Sequence, residues 1–205
     1  MRLILASNSK WRKKLINMAG FECEAIPSNV SEDIDFTSPD EYVKELSRRK
    51  ASEVAGRLSD GIVISADTIG YMDNEKFEKP KSREEAFRNI KKLSGRVNYA
   101  VTGVTIIDLD KGKNITFSEK TAVHFKEMTD EEVNWYIDNE KSVYECAGYS
   151  IETCGSLFIS NIDGNYTNIV GLPISRIYEE IKKFGYTIND FPIIKWGTMK
   201  DKIKI

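Results

Sequence analysis

Histidine is nearly missing from this chain and cysteine is sparse, with one His and three Cys in 205 residues. Cys23, Cys146 and Cys154 are an odd number without a CxxC pair, which argues against a disulfide framework and against a zinc site. Chemistry that needs an imidazole would rest on His124, which sits in an alternating segment that reads as a strand. No apolar run approaches the roughly 18 residues that span a bilayer. The opening Met1-Arg2-Leu3-Ile4-Leu5-Ala6 runs straight into a polar turn, without the length or cleavage pattern of a signal peptide. No membrane partner is expected, and the expected compartment is the cytoplasm. An excess of positive charge is also lacking: 30 Lys and Arg against 32 Asp and Glu give a net charge of −2. The chain as a whole therefore exerts no pull on nucleic acid, and no partner of that class is expected. Neither GxxxxGK[ST] nor GxGxxG occurs, so the two commonest nucleotide cradles are absent. There is no internal repeat and no low-complexity run.

What remains is an ordinary globular composition, 40% hydrophobic and 30% charged, long enough for one substantial core. One unit is expected over residues 1–190, followed by a tail over 191–205 whose alternating lysines suggest loose packing. Leu3 to Ala6 reads as a buried strand and Trp11 to Met18 as a helix stopped by Gly20. Phe21 to Ile26 alternates like a strand, and Pro27 to Thr37 reads as a polar loop. Capping boxes open helices at Ser38-Pro39-Asp40-Glu41, Ser82-Arg83-Glu84-Glu85 and Thr129-Asp130-Glu131-Glu132. Asp73-Asn74-Glu75 reads as a hairpin tip. Val97 to Asp108 and Ile115 to Phe125 read as long strands, and Ser156 to Ile162 with Asn165 to Val170 as a hairpin around Asp163-Gly164. Ile174 to Phe184 is a helix stopped by Gly185. Hairpins mixed with helical crossovers predict an α/β fold with a mixed sheet and flanking helices.

The apolar run Ile62-Val63-Ile64-Ser65-Ala66-Asp67 reads as a strand buried on both faces, so the carboxylate at its end must be paired, metal-bound or set at a cleft mouth. Lys50 falls on the apolar stripe of its helix, where it either snorkels outward or points into a cleft. Ser7-Asn8-Ser9-Lys10-Trp11-Arg12-Lys13-Lys14 leads from a strand end into a helix. It is either a capped helix with a solvated basic turn or a grip for an oligophosphate. Cations at a helix N-terminus oppose the macrodipole, a conflict that an anionic ligand would relieve. Glu32, Asp67, Lys50, Lys79 and Arg12 are the candidates for one cleft. Two carboxylates with several cations suit polyphosphate hydrolysis, the carboxylates for Mg²⁺ and the cations for the leaving pyrophosphate.

A family resemblance rests on these residues and on others in order along the chain. Leu3-Ile4-Leu5-Ala6-Ser7-Asn8-Ser9 with Arg12, Arg49-Lys50-Ala51, Ser65-Ala66-Asp67-Thr68, Glu78-Lys79-Pro80, Leu93-Ser94-Gly95, Thr102-Gly103-Val104, Ala147-Gly148-Tyr149 and Val170-Gly171-Leu172-Pro173 together resemble the Maf family of nucleoside triphosphate pyrophosphatases. The resemblance implies an elongated mixed-sheet fold like that of inosine triphosphatases, with two lobes around a central cleft. It implies house-cleaning hydrolysis of a nucleoside triphosphate to monophosphate and pyrophosphate, a divalent cation (Mg²⁺ or Mn²⁺) and a homodimer. By position Ser7 and Arg12 match the family's phosphate-contacting turn, Glu32 and Asp67 its acidic pair, and Lys50 and Lys79 its two lysines. Asp67 is then general base or metal ligand, with Glu32 as its metal-binding partner.

Trp11 and Glu152 look like the branch acting on 7-methyl-GTP. A carboxylate only accepts hydrogen bonds and so suits the N1–H and N2–H of guanine, and an indole can stack on a cationic base. Thr68 instead resembles the branch acting on dTTP and UTP, which stays as the alternative. The altered Lys10-Trp11 turn keeps open a nucleotide-binding regulator of cell division without turnover.

Overall fold

The computed structural model describes residues 1–73, 75–145 and 148–195. The elements in chain order are β1 (Leu3–Leu5), α1 (Lys10–Met18), β2 (Glu24–Ala25), α2 (Pro39–Ala55), β3 (Ile62–Met72), β4 (Glu75–Phe77), α3 (Arg83–Leu93), β5 (Val97–Asp108) and β6 (Lys113–Phe125). They continue with α4 (Asp130–Asn139), α5 (Ser142–Glu145), a 3₁₀ turn (Cys154–Phe158), β7 (Ile159–Asp163), α6 (Tyr166–Ile169), α7 (Ile174–Lys183) and a 3₁₀ turn (Ile188–Asp190). The strands form a seven-stranded sheet in the order β2-β1-β3-β5-β6-β7, with β4 on β3. It is mixed, as expected: β1 runs parallel to β2 and β3, whereas β4 is antiparallel to β3 and β7 to β6. Among the described residues no helix is long and apolar enough to cross a membrane.

The chain divides into two compact units. The first takes Met1–Asp67, Thr102–Glu119 and the residues from Gly171 onward. Its strand residues alternate between two covered faces, which is why β1 and the start of β3 are apolar without interruption. Ile4, Ala6 and Val63 pack against Val54 and Ala55 of α2. On the opposite face Leu3 and Ile64 meet Ile16 of α1 and Ile177 and Ile181 of α7 around a small apolar cavity. The approach of α2 to β5 is set by Gly103, where an added Cβ would lie 2.2 Å from the main-chain carbonyl of Val43. At the far end of β5 the buried Asp108 accepts from the amides of Asp110 and Lys111, both at 3.1 Å, and from the Tyr186 phenol at 3.2 Å. Lys111 lies over the Tyr186 ring and donates to the carbonyl of Phe184 at the end of α7. Burial first, and then the Asp108 hydrogen bond, push the Tyr186 phenol up to about 12.

The second unit takes Thr68–Val101 and Lys120–Val170. Its core joins Ile90 and Leu93 of α3, Val123 and Phe125 of β6, and Val133, Tyr136 and Ile137 of α4.

The structure departs from the sequence expectations in several places. The hairpin expected around Asp163-Gly164 is not formed: β7 pairs with β6, and the chain after Gly164 coils into α6. Asn165 causes the change, because its side chain caps α6 by accepting from the amide of Thr167 at 2.9 Å. The buried Asn168 then donates to the carbonyl of Ala100 and to Thr121 Oγ1. The strand expected over Phe21 to Ile26 shrinks to Glu24–Ala25, and Phe21 pairs instead with Ile193 in an antiparallel bridge. The start of the expected loose tail is packed, since Phe191 and Ile194 are buried and the Phe191 ring meets Phe21 edge-on at 5.8 Å. Of the three expected capping boxes only Thr129 is fully reciprocal; Ser38 and Ser82 cap their helices, but Glu85 reaches back to the amide of Lys81. Asn74 of the expected hairpin tip, Cys146, Ala147 and the tail from Trp196 lie outside the described residues.

Gly103→Ala must push α2 off β5, so a loss of stability on the order of 3 kcal/mol is expected, read as a lower denaturation midpoint with an unchanged slope. Because the folded protein holds the Tyr186 proton more tightly than the unfolded chain, Tyr186 must lower stability as pH rises from about 10 to about 12. Ultraviolet titration of the phenols should find one that ionises near the upper end, and Tyr186→Phe should remove it.

Candidate active site

On the face of β3 that meets α2, Val63 is followed by the buried Ser65 and then by Asp67, so the apolar layer ends in a carboxylate. On α2 the buried positions Val43, Leu46, Ser47, Lys50 and Val54 form one stripe, and Lys50 is the charged member. Its ammonium donates to Asp67 Oδ1 at 2.7 Å and lies 2.7 Å from Glu32 Oε1. The side chains of Lys50 and Asp67 are 10% and 12% exposed, but that of Glu32 is 64% exposed. Removing an ammonium from water costs several kcal/mol unless it is paired, so the buried Asp67 is the partner that holds Lys50 in the interior. Glu32 reaches the same ammonium from the irregular segment between β2 and α2.

The first turn of α1 supplies the other pole. Ser9 caps the helix by accepting from the amide of Arg12, and no acidic residue occupies the first turn. Ser7 Oγ accepts from the amide of Ser9 at 3.1 Å and from Arg12 Nη1 at 3.3 Å, and Arg12 Nε donates to the carbonyl of Gly171 at 2.9 Å. Desolvation lowers the pKa of Arg12, and the charges of Asp67 and then Glu32 oppose that shift. β1 and β3 run parallel with Leu5 opposite Ile64, so Ser7 and Asp67 follow at the same end of neighbouring strands. The carboxyl ends of parallel strands are where open α/β sheets bind ligands.

Five expected residues therefore converge in the first unit: Ser7, Arg12, Glu32, Lys50 and Asp67. Trp11 is half-buried on α1, with the Lys14 ammonium 4.9 Å from its ring centre. Lys79 and Glu152 belong to the second unit. Lys79 is exposed, and Glu152 accepts from the hydroxyl of Ser150 at 2.6 Å. Sequence reasoning missed the carbonyl of Gly171 that anchors Arg12, although the Gly171-Leu172-Pro173 turn is visible as a helix start.

Glu32 and Asp67 also bear on a metal. Their oxygens Oε1 and Oδ1 each lie 2.7 Å from the one ammonium of Lys50. Among the described residues no group of three or more His, Cys, Asp and Glu could hold a metal ion. Two hard oxygen donors do not make a full cage, but they suit Mg²⁺, which keeps waters and substrate phosphates in its shell.

A family profile described as Maf-like protein matches residues 2–184. A dTTP/UTP pyrophosphatase of Carboxydothermus hydrogenoformans is 38% identical over 186 residues, which cover 91% of this chain and 100% of that protein. One from Thermosipho africanus is 41% identical, covering 87% of this chain and 91% of its own. One from Bacillus anthracis is 40% identical, covering 91% and 97%. Among solved structures, the Staphylococcus aureus Ham1 protein aligns over 90% of this chain and 100% of its own, at 14% identity and a TM-score of 0.49.

Replacing Lys50 with Met leaves the Asp67 carboxylate buried without its cation, which should cost about 3 kcal/mol. Glu32→Gln removes a contact that water already screens and should cost under about 1 kcal/mol. Denaturant unfolding of the two variants side by side measures the difference.

Proposed function

The chain belongs to the Maf family, and on that premise we propose that it hydrolyses a nucleoside triphosphate to the monophosphate and pyrophosphate. The observation that best supports this reading is the Lys50 ammonium lying 2.7 Å from both Asp67 and Glu32, with the Ser7 and Arg12 turn at the same end of the sheet. Polyphosphate cleavage needs negative groups to orient water and a cation, and positive groups to receive the charge that builds on the leaving oxygens. The Arg12 guanidinium, held by Ser7 and Gly171, is aimed before any ligand arrives, so little ordering cost is left for binding. The amides of the α1 first turn, with Lys10 and Lys13 exposed beside them, add a second anchor for the phosphate tail.

In this reading water attacks the α-phosphorus and the bond to pyrophosphate breaks. Asp67, with Oδ1 on Lys50, serves either as general base toward that water or as ligand of the cation that activates it. Lys50 and Arg12 neutralise the departing pyrophosphate. Glu32 and Asp67 would hold a divalent cation, Mg²⁺ or Mn²⁺. When bound, such a cation supplies charge neutralisation on the phosphates and a more acidic water.

For the base, the names of the relatives favour dTTP and UTP, and Thr68 agrees. A 7-methyl-GTP preference has one observation on its side, the acceptor-only carboxylate of Glu152. The Lys14 ammonium lies 4.9 Å from the Trp11 ring centre, and its charge would repel a cationic purine stacked there. Purified protein incubated with dTTP, UTP, GTP and 7-methyl-GTP in Mg²⁺ or Mn²⁺ should release pyrophosphate, fastest from the two pyrimidines. Chelation should stop it, and Asp67→Asn should lower kcat by at least about a hundredfold while the fold persists. Saturable binding without pyrophosphate from any of them would leave the non-catalytic regulator as the better reading.

A further inference from the structure

Between α2 and the sheet the apolar packing is interrupted by hydroxyls that the chemistry above does not use. Ser47, Ser65 and Thr105 are all buried. Ser65 Oγ on β3 donates to the carbonyl of Ser47. The single proton of Ser47 Oγ goes to the carbonyl of Lys44 at 2.9 Å. Toward Thr105 Oγ1, also 2.9 Å away, Ser47 can therefore only accept. Thr105, having given its proton to Ser47, must accept from Thr116 Oγ1 at 3.0 Å. The direction of the chain is thus fixed, from the half-buried Thr116 on β6 through β5 to a carbonyl of α2. Because it ends on a carbonyl, it cannot pass a proton to Asp67; it fastens the helix to the strands.

What it fastens is the turn that carries the ion pair. Ser47 lies one helical turn before Lys50, and Ser65 lies two residues before Asp67 on the same face of β3. Each half of the pair is therefore one step from a hydroxyl bond that joins α2 to the sheet. Two further points remove the freedom of the helix to slide. Ser118 on β6 donates to Asp40 Oδ1 at 2.7 Å in the first turn of α2, and Gly103 brings β5 against the main chain of Val43.

We propose that Thr105, acting through Ser47 and together with Ser65, is a positioning residue that keeps the Lys50 ammonium in register with Asp67. Its kinetic consequence rests on the pyrophosphatase reading, but the register itself does not. Thr105→Val keeps the shape and removes the hydroxyl, whereas Thr105→Ser keeps the hydroxyl and removes the methyl. Two measurements follow each variant: kcat and KM on the best triphosphate, and the rate at which an acylating reagent labels Lys50, read by peptide mass against the exposed Lys81.

For Thr105→Val, kcat should fall about tenfold, as a small misplacement of a charged group demands, with KM within about twofold. Lys50 should label several-fold faster. Thr105→Ser should match the wild type in both. Equal behaviour of the two variants, or unchanged Lys50 labelling in Thr105→Val, would overturn the proposal. If Thr105→Val does not fold, Thr116→Val withdraws the outer donor from a half-buried site and should raise Lys50 labelling to a smaller degree; no rise there overturns the proposal equally. Wild-type protein that releases no pyrophosphate would remove the functional reading alone, and the labelling would still decide the register.

Discussion

A buried ammonium must be met by a buried carboxylate, and in the first unit that requirement ties one helix to one strand. Lys50 is placed by the same helical spacing that buries Val43, Leu46 and Val54, so α2 cannot seat its apolar stripe without also carrying a cation inward. β3 answers with Asp67 where its apolar alternation stops. Neither partner is tolerable in the interior alone, so the packing of the helix and the assembly of the site are one event. Gly103 permits the distance, and the hydroxyls of Ser65 and Thr105 permit polar atoms in a layer that is otherwise hydrocarbon.

A second tension sits at the start of α1. Its first turn holds Lys10, Arg12 and Lys13 where the helix dipole already favours negative charge, and no acidic residue lies within that turn. Arg12 is partly relieved by Ser7, by the carbonyl of Gly171 and, through space, by Asp67 and Glu32. The chain thus gathers positive charge at a helix end and sets a hydroxyl, a carbonyl and two carboxylates of its own against it.

Much of this was legible in the sequence because it is written in local periods. The stripe of α2, the two-faced apolar run of β3 and the glycines after α1, α3 and α7 follow from spacing alone. So did the residue types of the site, since carboxylates and lysines at the ends of apolar segments demand an explanation. Long-range competition was less visible. Asp163-Gly164 looked like a hairpin tip, but the capping side chain of Asn165 and the claim of β6 on β7 outweighed it. Phe21 looked like the head of a strand, yet its partner came from Ile193, at the other end of the chain. The hydroxyl chain had a trace in the alternation of Ser65 with Asp67, Gly103 with Thr105 and Thr116 with Ser118, but nothing local says that three such pairs face one helix. Resemblance, and not periodicity, singled out Glu152, whereas Lys79 was also reached through the hairpin tip at Asp73-Asn74-Glu75.

The unequal wetting of the two carboxylates makes two unlike contacts around one ammonium. Water competes for Glu32 at every moment and hardly at all for Asp67, so the first is held by a weak, salt-sensitive tether and the second by a strong one. One ammonium thus has a wet contact and a dry one, an asymmetry decided by solvent.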